Sequence, residues 1–142
     1  MTDTSPVPTD ILCSYALCMR QVQTFTRRIV YVVGCVDDTI EDVSDFDVVL
    51  DSLLGAAPLA GGGRGLSDWL AVSDRQALSD LRRVRERLVQ DFFVRHPMAD
   101  ASFRADPEAL DRARSSLDSF GDTLRRVDAL VTRLEQEVPG PA

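Results

Sequence analysis

Five acidic side chains lie close together and are the residues best suited to chemistry: Asp37, Asp38, Glu41, Asp42 and Asp45. On a helix, Asp38, Asp42 and Asp45 would share one face, because residues three or four positions apart are neighbours there. Carboxylate oxygens are the ligands that Mg²⁺ prefers in proteins. The spacing therefore supports one hypothesis, a small all-α metal-dependent enzyme, which we carry as the alternative function.

The same acids have a simpler interpretation as the solvated face of a helix. Val36, Ile40 and Val43 form an apolar row, and most of the acids lie opposite that row when the stretch is drawn as a helix. Between positions 37 and 51 the sequence has acids and no base, which suits docking of a basic partner. We favour the solvated face, keep an acidic docking face at these residues as a further hypothesis, and expect no metal, no cofactor and no catalytic residue.

The other residues that could do chemistry occur singly. His96 is the only histidine and precedes Pro97, so we expect it at a helix C-terminus, where an imidazole can meet the terminal carbonyls. The cysteines have neither disulfide nor zinc-ligand spacing. We expect them as small buried apolar residues in a reducing compartment: Cys13, Cys18 and Cys35.

An apolar stripe over residues 10–54 must position the acidic side chains. Apolar residues recur there in alternating three- and four-residue steps, the heptad period of helices that pack side by side. A second row widens the stripe, so the helix requires at least two neighbours. The two rows are Leu12, Tyr15, Met19, Val22, Thr26, Ile29, Val33, Val36, Ile40 and Val43, and Ile11, Cys18, Phe25, Val32, Thr39, Phe46 and Leu53.

Breakers and capping residues divide the chain into helices and flexible segments. The first helix is either continuous or broken near Gly34 or Ser44. The second ends before Pro97, and the third begins after the capping residue Asp106. The predicted segments are helices at about 10–54, 67–95 and 107–138, a flexible glycine-rich linker at 55–66, and disordered tails at 1–9 and 139–142.

These patterns predict an all-α fold with a single domain at 10–138. We expect an antiparallel bundle of three long heptad-patterned helices, the first of them either straight or bent into two. A buried β-strand over 29–36 is the rival interpretation. We favour the helix because no second strand-like run exists to pair with such a strand.

Composition excludes several classes of protein. The net charge of −7 disfavours nucleic-acid binding, and no apolar run is long enough to span a membrane. The first residues lack the basic and apolar segments of a secretion signal, so we expect a cytoplasmic protein. Every basic residue is arginine, and the sequence has neither lysine nor asparagine, a pattern typical of a GC-rich genome.

The favoured function is a non-enzymatic protein–protein interaction module. Such a helical assembly or adaptor subunit would form a homo-oligomer or bind another helical protein through apolar helix faces. The third helix carries a narrow apolar row suited to this role. The predicted interface residues are Ile29, Val33, Val36 and Ile40 of the first helix and Leu117, Phe120, Leu124 and Val127 of the third.

Overall fold

A computed structural model describes residues 7–35, 40, 42–54 and 70–137, and every regular element in these ranges is helical. The rival interpretation, a β-strand over 29–36, is wrong for the residues that the structure describes, because Ile29 to Gly34 form the last turns of the first helix. The helices in the described ranges include none long and apolar enough to cross a membrane.

Helix α1 comprises Thr9–Gly34 and carries the first part of the apolar stripe. It starts after Pro8 without a side-chain cap. At its other end, the Cys35 N–H donates to Tyr31 O and Val32 O, which closes the last turn. The helix therefore ends at one of the two break points suggested by the sequence, and it is not continuous to residue 54.

Helix α2 comprises Phe46–Leu53 and follows a 3₁₀ turn at Val43–Asp45. The turn is capped by Asp42, whose carboxylate accepts hydrogen bonds from the Ser44 N–H at 2.7 Å and from the Ser44 hydroxyl. Asp45 accepts in return from the Asp42 N–H at 3.2 Å. The cap therefore lies two residues before Ser44, because the aspartate reaches free N–H groups of the turn.

Helix α3 (Val72–Glu86), a π-helical turn (Arg87–Asp91) and helix α4 (Phe92–Arg95) follow one another without interruption. We call this stretch, 72–95, the central rod. It starts at Val72, where the Ala71 N–H donates to the Asp74 carboxylate at 2.8 Å. In the π turn, the Phe92 N–H donates to Arg87 O, five residues back.

Tyr15 of α1 holds the π turn of the central rod. Its hydroxyl donates to Leu88 O at 2.7 Å. Burial raises the pKa of Tyr15, so the phenol stays protonated and keeps its donor hydrogen at neutral pH. The bond joins α1 to the widest turn of the rod.

Helix α5 (Ala101–Arg104) is a short connection to the long helix α6 (Pro107–Glu137). Asp106 caps α6 by accepting from the Glu108 N–H at 3.0 Å and the Ala109 N–H at 3.3 Å, as the sequence suggests. Pro107 occupies the first helical position, where a missing N–H costs no hydrogen bond.

Cross-helix contacts give the relative directions of the long elements. Arg114 near the start of α6 binds Asp10 near the start of α1 at 2.7 Å, and Arg28 binds Asp128 farther along both at 3.2 Å, so α1 and α6 run the same way. The central rod runs opposite to α6. Arg133 near the end of α6 binds Asp74 near the start of α3, and the next pairing along is Arg126 with Asp80 at 3.2 Å.

Asp74 generates the first testable prediction, because it caps α3 and binds Arg133 of α6. Burial alone would raise its pKa, but the Arg133 hydrogen bond, the Ala71 N–H and the Arg133 charge together lower it. At pH 7 we expect Asp74→Ala to reduce the free energy of unfolding by about 1–2 kcal/mol. Urea denaturation measures this loss.

The pH dependence of that loss follows from the lowered pKa. The stabilisation is complete above the unfolded-state pKa, near 3.8, and disappears as the pH falls through the lower folded-state value. The gap between the wild type and Asp74→Ala should therefore narrow below about pH 4. The matched control is Asp122→Ala, which removes an exposed ion pair with Arg125. A gap at pH 7 no larger than that of the control would contradict the prediction.

Tyr15 generates the second prediction. Tyr15→Phe removes the donor to Leu88 O and should lower the free energy of unfolding by about 0.5–1.5 kcal/mol. Tyr31, the other tyrosine, is 64% exposed and provides the control, since Tyr31→Phe should cost less than about 0.5 kcal/mol. Chemical denaturation of both variants is the measurement. Equal effects would show that the Leu88 contact contributes nothing.

Candidate functional site

The predicted acidic docking face is only partly visible. Asp37, Asp38 and Glu41 lie outside the described residues. Asp42 is exposed, and its pKa is lowered by hydrogen bonds from the Ser44 hydroxyl and then the Ser44 N–H. Asp42 and Asp45 therefore cap the 3₁₀ turn, which is a structural task for two of the five acids.

Metal binding through Asp38, Asp42 and Asp45 stays the alternative hypothesis. Among the residues whose positions are described, no three His, Cys, Asp or Glu side chains are grouped so that they could hold a metal ion. That search does not reach Asp38, one of the three carboxylates of the alternative hypothesis. Of the other two, Asp42 already accepts hydrogen bonds from Ser44.

Most of the predicted interface residues lie inside the chain's own core. Ile40 and Phe120 are half-buried against this core, and Val36 lies outside the described residues. A partner could reach the fully buried positions only if the helices separated. The fully buried ones are Ile29, Val33, Leu117, Leu124 and Val127.

Helix α2 packs against α1, and polar side chains join it to the central rod. Its acids bind the rod: Arg85 pairs with Asp47 at 3.1 Å and Arg82 pairs with Asp51 at 2.6 Å. The Arg85 guanidinium also lies 5.0 Å from the centre of the Phe46 ring. The apolar side chains of α2 are buried in the core beneath: Phe46, Val49, Leu50 and Leu53.

The groove between α1 and the central rod continues past α2, and there it is open. Tyr15 contacts Phe93 across it, with ring centroids 4.7 Å apart. Leu12, three residues before Tyr15, is 44% exposed on the same side of α1, and Phe93 is 41% exposed. Met19 and Val89 line the next part, with Val89 59% exposed. We call these five residues the open groove.

Basic and neutral polar side chains border the open groove. Where it meets α2 there is a cleft of about 420 Å³, to which Met19 and Val89 contribute the apolar part. Gln23, Arg27 and Arg85 contribute the polar part, and no carboxylate lines the cleft in the part of the chain that the structure describes. Arg85 already pairs with Asp47, so Arg27 is the cation at this rim that an incoming acidic group would meet.

Sequence reasoning found one wall of the open groove and missed the other. Leu12, Tyr15 and Met19 belong to the first apolar row, whereas Val89 and Phe93 of the second helix belong to none of the apolar rows predicted above. The available signal was the adjacent pair Phe92 and Phe93. Two neighbouring side chains on a helix point in directions about 100° apart, so both rings cannot fill the same core position.

Comparison with known proteins yields no relative for this chain. No family model, curated protein or solved structure matches it significantly. The argument about function therefore depends on the geometry of the helices and their exposed surfaces.

Proposed function

We propose that the chain is a non-enzymatic interaction module that binds an amphipathic helix of a partner protein in the open groove. In this proposal α1, the central rod and α6 form an antiparallel three-helix bundle, and α2 is a short fourth helix on its surface. The observation that carries the proposal is that α2 buries its apolar face and pairs with Arg82 and Arg85 of the rod, while the cleft beside Arg85 leaves the apolar side chain of Val89 exposed.

The contacts of α2 indicate what kind of helix the groove accepts. An apolar face enters the groove through Phe46, Val49 and Leu50, spaced as on one side of a helix. Aspartates four residues apart, Asp47 and Asp51, pair with arginines of the rod. A helix with the same combination of apolar and acidic residues would match the apolar floor and basic rim of the open groove.

The size of the open groove suits a short helix. From Leu12 to Gln23, α1 rises roughly 16 Å, which is about three helical turns. Large apolar side chains grouped over this distance differ from apolar residues scattered singly on a surface, and such patches mark interaction sites. Two aromatic residues, Tyr15 and Phe93, provide the kind of anchors that dominate binding energy at interfaces.

A synthetic peptide that repeats the α2 pattern, FDVVLDSFDVVLDSL, tests the proposal. We expect it to bind, measured by fluorescence anisotropy with a label on the peptide. Val89→Glu should weaken binding at least tenfold, about 1.4 kcal/mol, because a carboxylate would enter the apolar floor and repel the acids of the peptide. The control is Val72→Glu, which changes an 84% exposed valine at the start of α3.

Reversing the charge of the peptide distinguishes specific binding in the open groove from non-specific hydrophobic association. A second peptide with lysine in place of each aspartate should bind more weakly, and Arg27→Glu should weaken binding of the acidic peptide while favouring the basic one. The proposal fails if the acidic peptide does not bind or if Val89→Glu binds it as tightly as Val72→Glu. A dimer in light scattering that Val89→Glu dissociates would make a second copy the occupant instead.

A further inference from the structure

A second cleft lies on the opposite side of the central rod, between the π turn and the first half of α6. Its volume is about 540 Å³. Three arginines line it, two from the rod and one from α6: Arg87, Arg95 and Arg112. The hydroxyls of Ser115 and Ser116 line the α6 wall. We call this the basic cleft.

Two of these arginines have no acidic partner among the residues that the structure describes. Asp91 lies 3.7 Å from Arg95, and Asp111 lies 3.1 Å from Arg114. Neither Arg87 nor Arg112 forms an ion pair with any residue in the described ranges. The basic cleft therefore carries surplus positive charge in a chain whose net charge is −7. Neighbouring arginines repel one another, and an anion bound between them would offset that repulsion.

Aromatic rings form the inner wall. Phe92 is buried and Phe120 half-buried, and both line the cleft. The His96 ring lies beside them, with its centroid 4.8 Å from that of Phe92. A smaller cleft of about 390 Å³ adjoins this one along α6 and shares Arg87, where Ser119 and Thr123 add further hydroxyls.

We propose that the basic cleft binds a small organic phosphate, with the phosphate group held by Arg87 and Arg112 and an apolar or planar portion placed against Phe120. Guanidinium groups donate paired hydrogen bonds that match the oxygens of a phosphate, and serine hydroxyls add neutral donors. The cleft volume falls within the range of small-molecule sites.

Charge at the edges of the cleft favours a small ligand over a nucleic acid. Asp91 and Asp111 both line it, and they would repel the further phosphates of an extended polyanion. The negative net charge of the chain also opposes the long-range attraction that nucleic-acid binding requires.

His96 provides a direct probe, because it is the only histidine and its imidazole NMR signals are unique. Burial lowers its pKa, and the charges of Arg95 and Arg112 lower it further. The charged groups that line the cleft with it are Arg87, Asp91 and Arg95 of the rod and Asp111 and Arg112 of α6; α5 contributes the ring of Phe103. A dianion in the basic cleft stabilises the imidazolium and raises this pKa.

The test titrates His96 by NMR with phenyl phosphate, inorganic phosphate and phenol, at constant ionic strength set with chloride. We expect phenyl phosphate to raise the pKa of His96 and to bind more tightly than inorganic phosphate, because its ring contacts Phe120. Phenol should leave the pKa unchanged. If neither phosphate probe moves the pKa at about 20 mM, a concentration that detects even millimolar binding, the proposal is overturned.

Variants distinguish phosphate binding in the basic cleft from non-specific attraction of an anion to the protein surface. Arg112→Gln should raise the pKa of His96 in the free protein, because a nearby positive charge is removed. The same variant should weaken the binding of phenyl phosphate at least tenfold. Arg87→Gln should weaken the binding of phenyl phosphate to a similar extent. Arg125→Gln, an exposed arginine of α6 paired with Asp122, is the matched control and should bind as the wild type does.

The outcome is independent of the open groove. Val89→Glu should leave phenyl phosphate binding unchanged, since Val89 does not line the basic cleft. Circular dichroism confirms that each variant is folded before titration. Equal affinity of the wild type, Arg87→Gln and Arg112→Gln would place the phosphate elsewhere and refute the site.

Discussion

Burial of the apolar row of α6 against two neighbours at once is the constraint on which the rest of the structure depends. Each large side chain of this row stabilises the fold by roughly 1.5–3 kcal/mol. The ion pairs along the two seams are mostly exposed and contribute far less, but they fix direction and register. The buried residues of the row are Ala113, Leu117, Leu124, Val127, Val131 and Leu134.

Two buried carboxylates make this register specific. Asp80 is buried and accepts from Arg83 at 2.8 Å and from Gln76 at 3.0 Å, besides its contact with Arg126 of α6. Sliding α6 along the rod by one turn would separate Arg126 from Asp80 and Arg133 from Asp74. A buried carboxylate that loses a partner is costly, so one register is preferred over its neighbours.

The sequence was sufficient to predict that the chain is helical. It was insufficient to predict which element packs against each apolar helix face. Heptad spacing predicts that Ile29, Val33 and Leu124 are buried, but it does not indicate whether the surface packed against them belongs to the same chain. The stripe also continues across the end of α1 at Gly34, because Phe46 and Val49 of α2 pack into the same core. A continuous pattern is therefore compatible with two helices.

The π turn explains both the missed wall of the open groove and the separation of the two proposed sites. Val84, Leu88 and Phe92 are spaced by four residues twice, and on a regular α-helix this spacing drifts about 80° around the axis. The wider turn at Arg87–Asp91 removes much of the drift and keeps Leu88 and Phe92 in the core. With these two fixed inward, Phe93 lies against Tyr15 at the open groove while Arg87 lines the basic cleft.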